Sequence, residues 1–349
     1  MTVGLLAPPG GDLATHPATA ALVALGLMDP SATALAAVED LSRAHPVWRV
    51  IRPDGRRWVV KEGRRAGGPD LAVECLVYRL AAWCDPVAAA LPTPVAIDED
   101  RQVLVLEDVT GPGCGSLAQQ IGLPALLLGS SSGVDVGCPV EVAGLIGSVL
   151  GGLHQATAGF PLPPAPPPIV LAALGPSRVP MPGPMSGTAT ALLAQPGLLE
   201  AAAEMAGPVT GCLVNHDLKW DNIVVSAAEP ARPVLLAWER AGLGDPAWDL
   251  GCLLAEHQVR SVTLDHLDAG AAALLGHYAV AARLRLGVRP AYARRVGLAT
   301  VLRLAQLALE VANMPASVVA QGADRLIALA RRQLGDLPAL TQEVSRCLS

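Results

Sequence analysis

The stretch from Leu213 to Val225, LVNHDLKWDNIVV, carries the residue types best suited to chemistry. Asp217 and Asn222 stand five apart between two short apolar runs, so both side chains can leave one tight loop toward the same pocket. A carboxylate so placed accepts a hydroxyl proton, an amide holds a cation, and Lys219 between them neutralises charge on a phosphoryl group in transit. Taken alone, the Asp-x4-Asn spacing suits an Asx-rich turn equally well. Lysine usage adds a second signal. Of twenty-five basic residues only Lys61 and Lys219 are lysine. Ammonium is a compact donor and guanidinium a broad planar fork, so a chain that otherwise uses arginine marks these two places.

The elements that must position these groups follow from periodicity. Residues 1–45 read as an Ala-rich helical extension, with Asp29-Pro30 as a break and Ser31 capping a helix through about Leu41. From Val47 the period becomes two: Trp48–Ile51 and Trp58–Lys61 flank Pro53-Asp54-Gly55, the turn chemistry of a hairpin. Leu71–Trp83 reads as an amphipathic helix, and Thr93–Ile97 and Gln102–Leu106 as two more strands around Asp98-Glu99-Asp100. Residues 46–108 thus predict a small antiparallel sheet with one helix, and 109–349 a larger, mostly helical region. In that region Val140–Thr157 is a helix, Leu213–Val225 and Val234–Trp238 are short strand-loop-strand material, and helices run from Pro246 to the end. The Pro-rich segment 161–184 is expected as an irregular surface loop that could equally hold a substrate-side lid. The fold class is α+β.

Composition narrows the function classes. The 349 residues carry a net charge of −6 with no block of like charge, which argues against nucleic acid or an anionic membrane surface as the main partner. Seven cysteines without a CxxC pair indicate neither a disulfide framework nor a zinc knuckle, and a reducing, cytoplasmic setting is expected. The hydrophobic share is 52% with only 3% aromatics, and the mean hydropathy is +0.42. Either a bias toward small aliphatic residues or an apolar surface covered by a partner protein accounts for this.

HDLKWDN has the spacing of the protein-kinase catalytic loop, and LLAWERAGLGDPAWDLG follows at 235–251. Together the two stretches resemble the aminoglycoside phosphotransferase and choline kinase family, whose pattern is an H-G-D catalytic loop, then I-D-W-E, then G-D-P-x-x-D-L. VVKEG at 59–63, Glu74, LVLEDV at 104–109 and LGGLHQAT extend the resemblance over roughly residues 45–330. It implies a two-lobed protein-kinase-like fold and ATP with Mg2+ as cofactors. By resemblance, Lys61 pairs with Glu74 and grips the nucleotide phosphates, Glu107 and Val109 lie in the nucleotide-binding hinge, Asp217 is the catalytic base and Asn222 a magnesium ligand. Lys219 takes the place of a lysine near the γ-phosphate. Asp249 resembles the buried aspartate that supports the catalytic loop, and Asp245-Pro246 reads as a helix N-cap with its N1 proline.

Three departures bear on activity. Leu236-Ala237-Trp238-Glu239 puts Ala237 where the family has its principal magnesium-binding aspartate, and a methyl holds no cation. An engineered inactivating substitution, a natural pseudokinase that still binds nucleotide or peptide, and a carboxylate supplied by Glu239 beside Asn222 are three open explanations. Asn215 and His216 replace the motif His and Gly, so His216 is expected to pack the loop or face substrate. LSRAHPVWRV lacks glycines where a phosphate-covering loop needs close backbone approach. For the acceptor, residues 188–349 hold fifteen acidic and fourteen basic residues, a balance that does not favour a polycationic sugar. The resemblance extends to kinases of peptide natural-product pathways, such as class V lanthipeptide and thioamitide clusters, which phosphorylate Ser or Thr beside a partner protein. An enzyme acting on a precursor peptide, a kinase-like binding module and a small-molecule antibiotic phosphotransferase are the readings carried forward.

Overall fold

The structure is a computed structural model and describes residues 16–42, 45–63, 71–110, 116–121, 138–175, 180, 181, 183, 185–195, 197–207, 211–225, 232–260, 267–314 and 322–349. The chain divides into two compact units, the first comprising 1–79 and 92–109, the second 80–91 and 110–349.

The first unit is built on a five-stranded antiparallel sheet in the order β1-β2-β3-β5-β4, from Ala37–Asp40 (β1), Val47–Ile51 (β2), Arg57–Glu62 (β3), Pro94–Asp98 (β4) and Val103–Glu107 (β5). The β2–β3 hairpin turns where Pro53-Asp54-Gly55 predicts it: Gly55 takes φ +82°, and Asp54 Oδ1 accepts from the Arg56 N–H at 3.1 Å. Helix α1 (Pro17–Ala24) lays Ala18 and Leu22 on one sheet face against Val50, Trp58, Val60, Val103 and Val105. The sequence reading of residues 31–41 needs correction. Asp29, not Ser31, caps the turn, its Oδ1 accepting from Ser31 N at 2.8 Å, and the turn is a short 3-10 stretch ending at Leu35. Ala36 is extended, and Ala37–Asp40 becomes an edge strand paired from Ala37↔Ile51 to Asp40↔Trp48. Four residues carry too little periodicity to announce a strand, and it is the waiting edge of β2 that takes up their backbone groups. Helix α2 (Ala72–Ala81) follows β3 as expected.

The second unit is helical: α3 (Asp85–Ala90), α4 (Leu117–Ile121), α5 (Val140–Ala156), α6 (Ile169–Leu174), α7 (Met185–Leu193), α8 (Leu198–Met205), α9 (Pro246–Arg260), α10 (Ala269–Ala281), α11 (Arg289–Ala312), α12 (Gly322–Gly335) and α13 (Leu337–Cys347). Between α8 and α9 lie two ribbons, β6 (Cys212–Val214) with β9 (Gly242–Gly244), and β7 (Ile223–Val225) with β8 (Pro233–Leu235). α9 is buried from Ala247 to Arg260, as a helix enclosed on all sides must be, and α11 packs along it. The Pro-rich segment is irregular and largely exposed over residues 161–167, as expected, but one isolated bridge fixes its course. Prolines lack an N–H but keep a carbonyl, and Pro163 O accepts from Leu243 N at 2.7 Å while Ala165 N donates to Leu243 O at 3.0 Å, so the segment runs along β9. It then forms α6, with Val170 fully buried; residues 176–179, 182 and 184 of the segment fall outside the described ones.

Among the described residues, no helix is long and apolar enough to cross a membrane. Cys75, Cys84, Cys138, Cys212 and Cys252 are free and buried, and burial pushes the Cys75 thiol up to about 11 and the Cys138 thiol up to about 12. At pH 8 these five should stay unmodified by Ellman's reagent in the native protein and react once it is unfolded in guanidinium. Fast reaction of Cys138 or Cys212 in the native protein would refute this packing.

Candidate active site

Two constellations stand out, one in each unit. In the first, strand alternation sends Trp58 and Val60 into the core under α1 and turns Lys61 to the opposite face. There the Lys61 ammonium donates to Glu74 Oε2 at 2.5 Å, with both residues buried. A buried ammonium with a helical carboxylate at its back is held to one place rather than sampling solvent. Glu107 and Val109, the predicted hinge residues, close the unit: Glu107 is the exposed end of β5, its N–H donating to Thr93 O at 2.9 Å, and Val109 is half-buried.

In the second unit β6 delivers the chain into the loop 215–222 and β7 takes it out. Asp249, fully buried in the first turn of α9, accepts from the N–H of Asn215 at 2.8 Å and of His216 at 2.9 Å. This clamp holds His216 at φ +65°, a left-handed conformation that glycine adopts without cost and that a side chain adopts only when its surroundings impose it. The turn brings Asp217 round, its N–H donating to Asn215 Oδ1 at 3.0 Å. Asp217 Oδ2 accepts from Lys219 Nζ at 2.8 Å and from Asn222 Nδ2 at 3.2 Å, and Asn222 Nδ2 also reaches Asp217 O at 2.8 Å. The three loop residues named from spacing therefore converge on one carboxylate, whose side chain keeps 18% exposure.

His216 is a packing group. Its Nδ1 donates to Pro166 O at 3.0 Å, its ring lies edge-on to Trp248, and burial lowers its pKa against the pull of Asp249. Asp245 caps α9, Oδ1 accepting from Ala247 N at 2.9 Å, and Oδ2 holds Arg295 at 2.7 Å.

Position 237 is tied to the same loop. Asn215 Nδ2 donates to Leu236 O and to Ala237 O, both at 3.1 Å, and Ala237 sits at φ +60°. Aspartate and asparagine tolerate that region better than alanine. The backbone thus keeps a shape suited to a short polar side chain that the sequence does not supply. Glu239 lies in the turn from Trp238 to Ala241, partly buried. A divalent-cation site is not complete in this donor set: Asn222 turns its nitrogen to Asp217, residue 237 offers a methyl, and among the described residues no group of three or more His, Cys, Asp or Glu converges.

Sequence reasoning missed three residues around the loop. Asn215 was noted only as a departure, yet its amide joins residues 217, 236 and 237. Thr157 Oγ1 accepts from Leu213 N at 3.0 Å, and nothing in its neighbourhood in the sequence signals this. Arg303, fully buried on α11, donates to Glu310 at 2.7 Å. Burial would raise the Glu310 carboxyl, but Arg303 and Lys219 outweigh it and hold it below the usual carboxylate range, so α11 feels the charge of the loop.

The profile of the Phosphotransferase enzyme family matches residues 38–286. No curated protein shows significant similarity to the chain. Among solved structures, a choline/ethanolamine kinase family protein from Mesorhizobium loti is similar over 97% of this chain and 96% of its own at 18% identity, with a TM-score of 0.51. An amicoumacin kinase in complex with AMP-PNP and Ca2+ is similar over 91% and 94% at 13% identity, TM-score 0.55. An ethanolamine kinase from Plasmodium vivax is similar over 92% and 87% at 10% identity, TM-score 0.52. Likeness at these identities is one of fold, and the fold shared is the protein-kinase-like α+β architecture.

Proposed function

The chain belongs to the phosphotransferase enzyme family, and from that premise we propose that it transfers the γ-phosphoryl group of ATP to a hydroxyl, the preferred acceptor being a Ser or Thr of a precursor peptide. One observation carries the reading: Asp217 is presented on a loop locked by Asp249 and Asn215, with the Lys219 ammonium on its carboxylate. In this reading Asp217 takes the acceptor's proton as the hydroxyl oxygen bonds to the γ-phosphorus, the bond to the β–γ bridging oxygen breaks, and ADP leaves. Lys219 screens the charge on the phosphoryl oxygens, and Lys61, held by Glu74, binds the nucleotide phosphates. Glu107 and Val109 are the hinge residues that would hold the nucleotide at its base end.

For the metal, Asn222 and Glu239 are the donors this chain retains, with Ala237 in place of a carboxylate. Mg2+, when bound, would supply charge neutralisation to the phosphates. The peptide acceptor is supported by the near-neutral balance of fifteen acidic against fourteen basic residues over 188–349. A partner protein is supported by the aliphatic composition and by exposed Trp83 and Leu35. Ala237 itself favours a second reading, a kinase-like module that binds peptide or partner without turnover.

Ala237→Asp compared with the chain carrying Ala237 separates the two. Aspartate suits the left-handed backbone at 237 and restores an anionic donor, and a few kcal/mol of transition-state stabilisation corresponds to about 100-fold in rate. Phosphorylation of Ser/Thr peptides with Mg-ATP should rise by that order in the variant, with small hydroxylated antibiotics as the competing acceptors. Peptide binding by both forms with turnover by neither would leave the module reading standing in its place.

A further inference from the structure

Behind the loop runs a buried line of side chains that the phosphoryl-transfer chemistry does not use. His154, on α5, is 3% exposed; its Nε2 lies 3.3 Å from Asp249 Oδ2 and its Nδ1 3.1 Å from Tyr278 OH on α10. Tyr278 OH is in turn 2.9 Å from Tyr292 OH in the first turn of α11, and the two rings stack. Four helices thus feed one chain of hydrogen bonds that ends on the carboxylate clamping Asn215 and His216.

Counting donors fixes its direction. An ionised carboxylate only accepts, so His154 Nε2 must donate to Asp249. A neutral imidazole then has only a lone pair at Nδ1, so Tyr278 O–H must donate to it, and the Tyr278 oxygen is left to accept from Tyr292 O–H. Each hydroxyl and ring nitrogen is satisfied once, in one sense along the line. The opposite ring tautomer would set a lone pair against the carboxylate, leaving the buried Asp249 oxygen without its side-chain donor.

We propose that His154 is a positioning residue, held in its Nε2–H tautomer by the Tyr292–Tyr278 pair, and that it keeps Asp249 turned to the backbone N–H groups of Asn215 and His216, hence Asp217 in place. The placement of Asp217 as the acting group rests on the proposed phosphotransferase reading; the tautomer does not. Asp249 has three donors at its two oxygens, two of them backbone. Loss of the third frees the carboxylate to rotate about its side-chain bond, and the left-handed turn at His216 loses the clamp that imposes it.

The test is nitrogen-15 NMR of histidine-labelled full-length protein at neutral pH, with the His154 signals assigned by their disappearance in His154→Gln. The expected spectrum has His154 as a single neutral Nε2–H tautomer. In Tyr278→Phe, which keeps the ring and removes the hydroxyl, Nδ1 loses its donor and the signals should move to a mixture of tautomers or to the imidazolium. In Tyr292→Phe, at the outer end, a smaller shift of the same sign is expected. An Nδ1–H or doubly protonated His154 in the unmodified protein overturns the proposal, as does a Tyr278→Phe spectrum identical to it. In the Ala237→Asp background, Tyr278→Phe and His154→Leu should each lower kcat about 10- to 100-fold, the range seen when a group supporting an active residue is lost, with KM for ATP within about twofold. His154→Gln, which keeps an N–H to offer Asp249, should recover part of the His154→Leu loss. Equal loss in both, or a rise in KM alone, refutes positioning. A silent Ala237→Asp enzyme with the expected tautomer counts against the phosphotransferase reading and not against the hydrogen-bond line.

Discussion

Asp217→Asn, placed in the Ala237→Asp protein, should lower kcat for phosphoryl transfer about 1,000-fold, within the range assigned to a general base. The substitution keeps the size and the hydrogen bonds of the side chain. An amide oxygen in the place of Oδ2 still accepts from Lys219 and Asn222, and the N–H bonded to Asn215 Oδ1 is backbone, which the substitution does not touch. What it removes is the basic oxygen that takes the hydroxyl proton. ATP affinity should therefore change little, and the thermal stabilisation by millimolar ATP should match that of the parent, since a ligand bound only to the folded state raises its stability by an amount set by concentration over Kd. Lys61→Ala should do the reverse, removing that stabilisation, because the ammonium held against Glu74 is the group assigned to the phosphates. Equal ATP stabilisation in Lys61→Ala and parent would remove Lys61 from the nucleotide site, and an Asp217→Asn enzyme with near-parental kcat would remove Asp217 from the chemistry.

The largest stability effect is expected at Gly147. It lies on α5 where that helix meets α10, and a Cβ there would stand 2.2 Å from the Leu274 carbonyl oxygen and 3.1 Å from the Tyr278 nitrogen. Both obstacles are backbone, so the helices themselves must part. The Gly147→Ala protein should lose about 3 kcal/mol, the upper range for overpacking, and its melting temperature should fall by about 4 °C at this size. Gly152→Ala on the same helix meets nothing within 4 Å and should stabilise by about 0.5–1 kcal/mol through helix propensity alone. Opposite signs for two identical substitutions five residues apart isolate the helix contact from propensity. Equal melting temperatures would mean that α5 and α10 do not approach so closely. That approach also has a functional side, for it seats Tyr278 within reach of His154.

Much of the candidate site was legible because its signals are local. The Asp217–Asn222 spacing lies within one loop, so the two short apolar runs around it suffice to bring the side chains together, as they do on Asp217 Oδ2. The hairpin around Gly55 is equally local, a matter of one residue's φ. Lys61 and Glu74 required one more step, the expectation of a helix after the strand, and the resemblance named the pair. Edge strand β1 was not legible, since Ala37–Asp40 adopts its conformation only by pairing with β2. Nor was the course of the Pro-rich segment, whose Pro163 carbonyl and Ala165 N–H find Leu243 about 80 residues away.

By itself, then, the sequence determined which groups are available and which are missing: one carboxylate, one amide and one ammonium in a single loop, a second ammonium on a strand, and a methyl at 237. These follow from residue identity and from turns whose geometry is set within a few residues. Only the tertiary structure decided what holds them. The clamp of Asp249 on Asn215 and His216, the hold of Asn215 on residue 237 and the line from Tyr292 through Tyr278 to His154 join elements between about 14 and 124 residues apart in sequence. A hydrogen bond between buried groups requires both to be brought within about 3 Å at a fixed angle, and that depends on how helices pack, which no local pattern encodes.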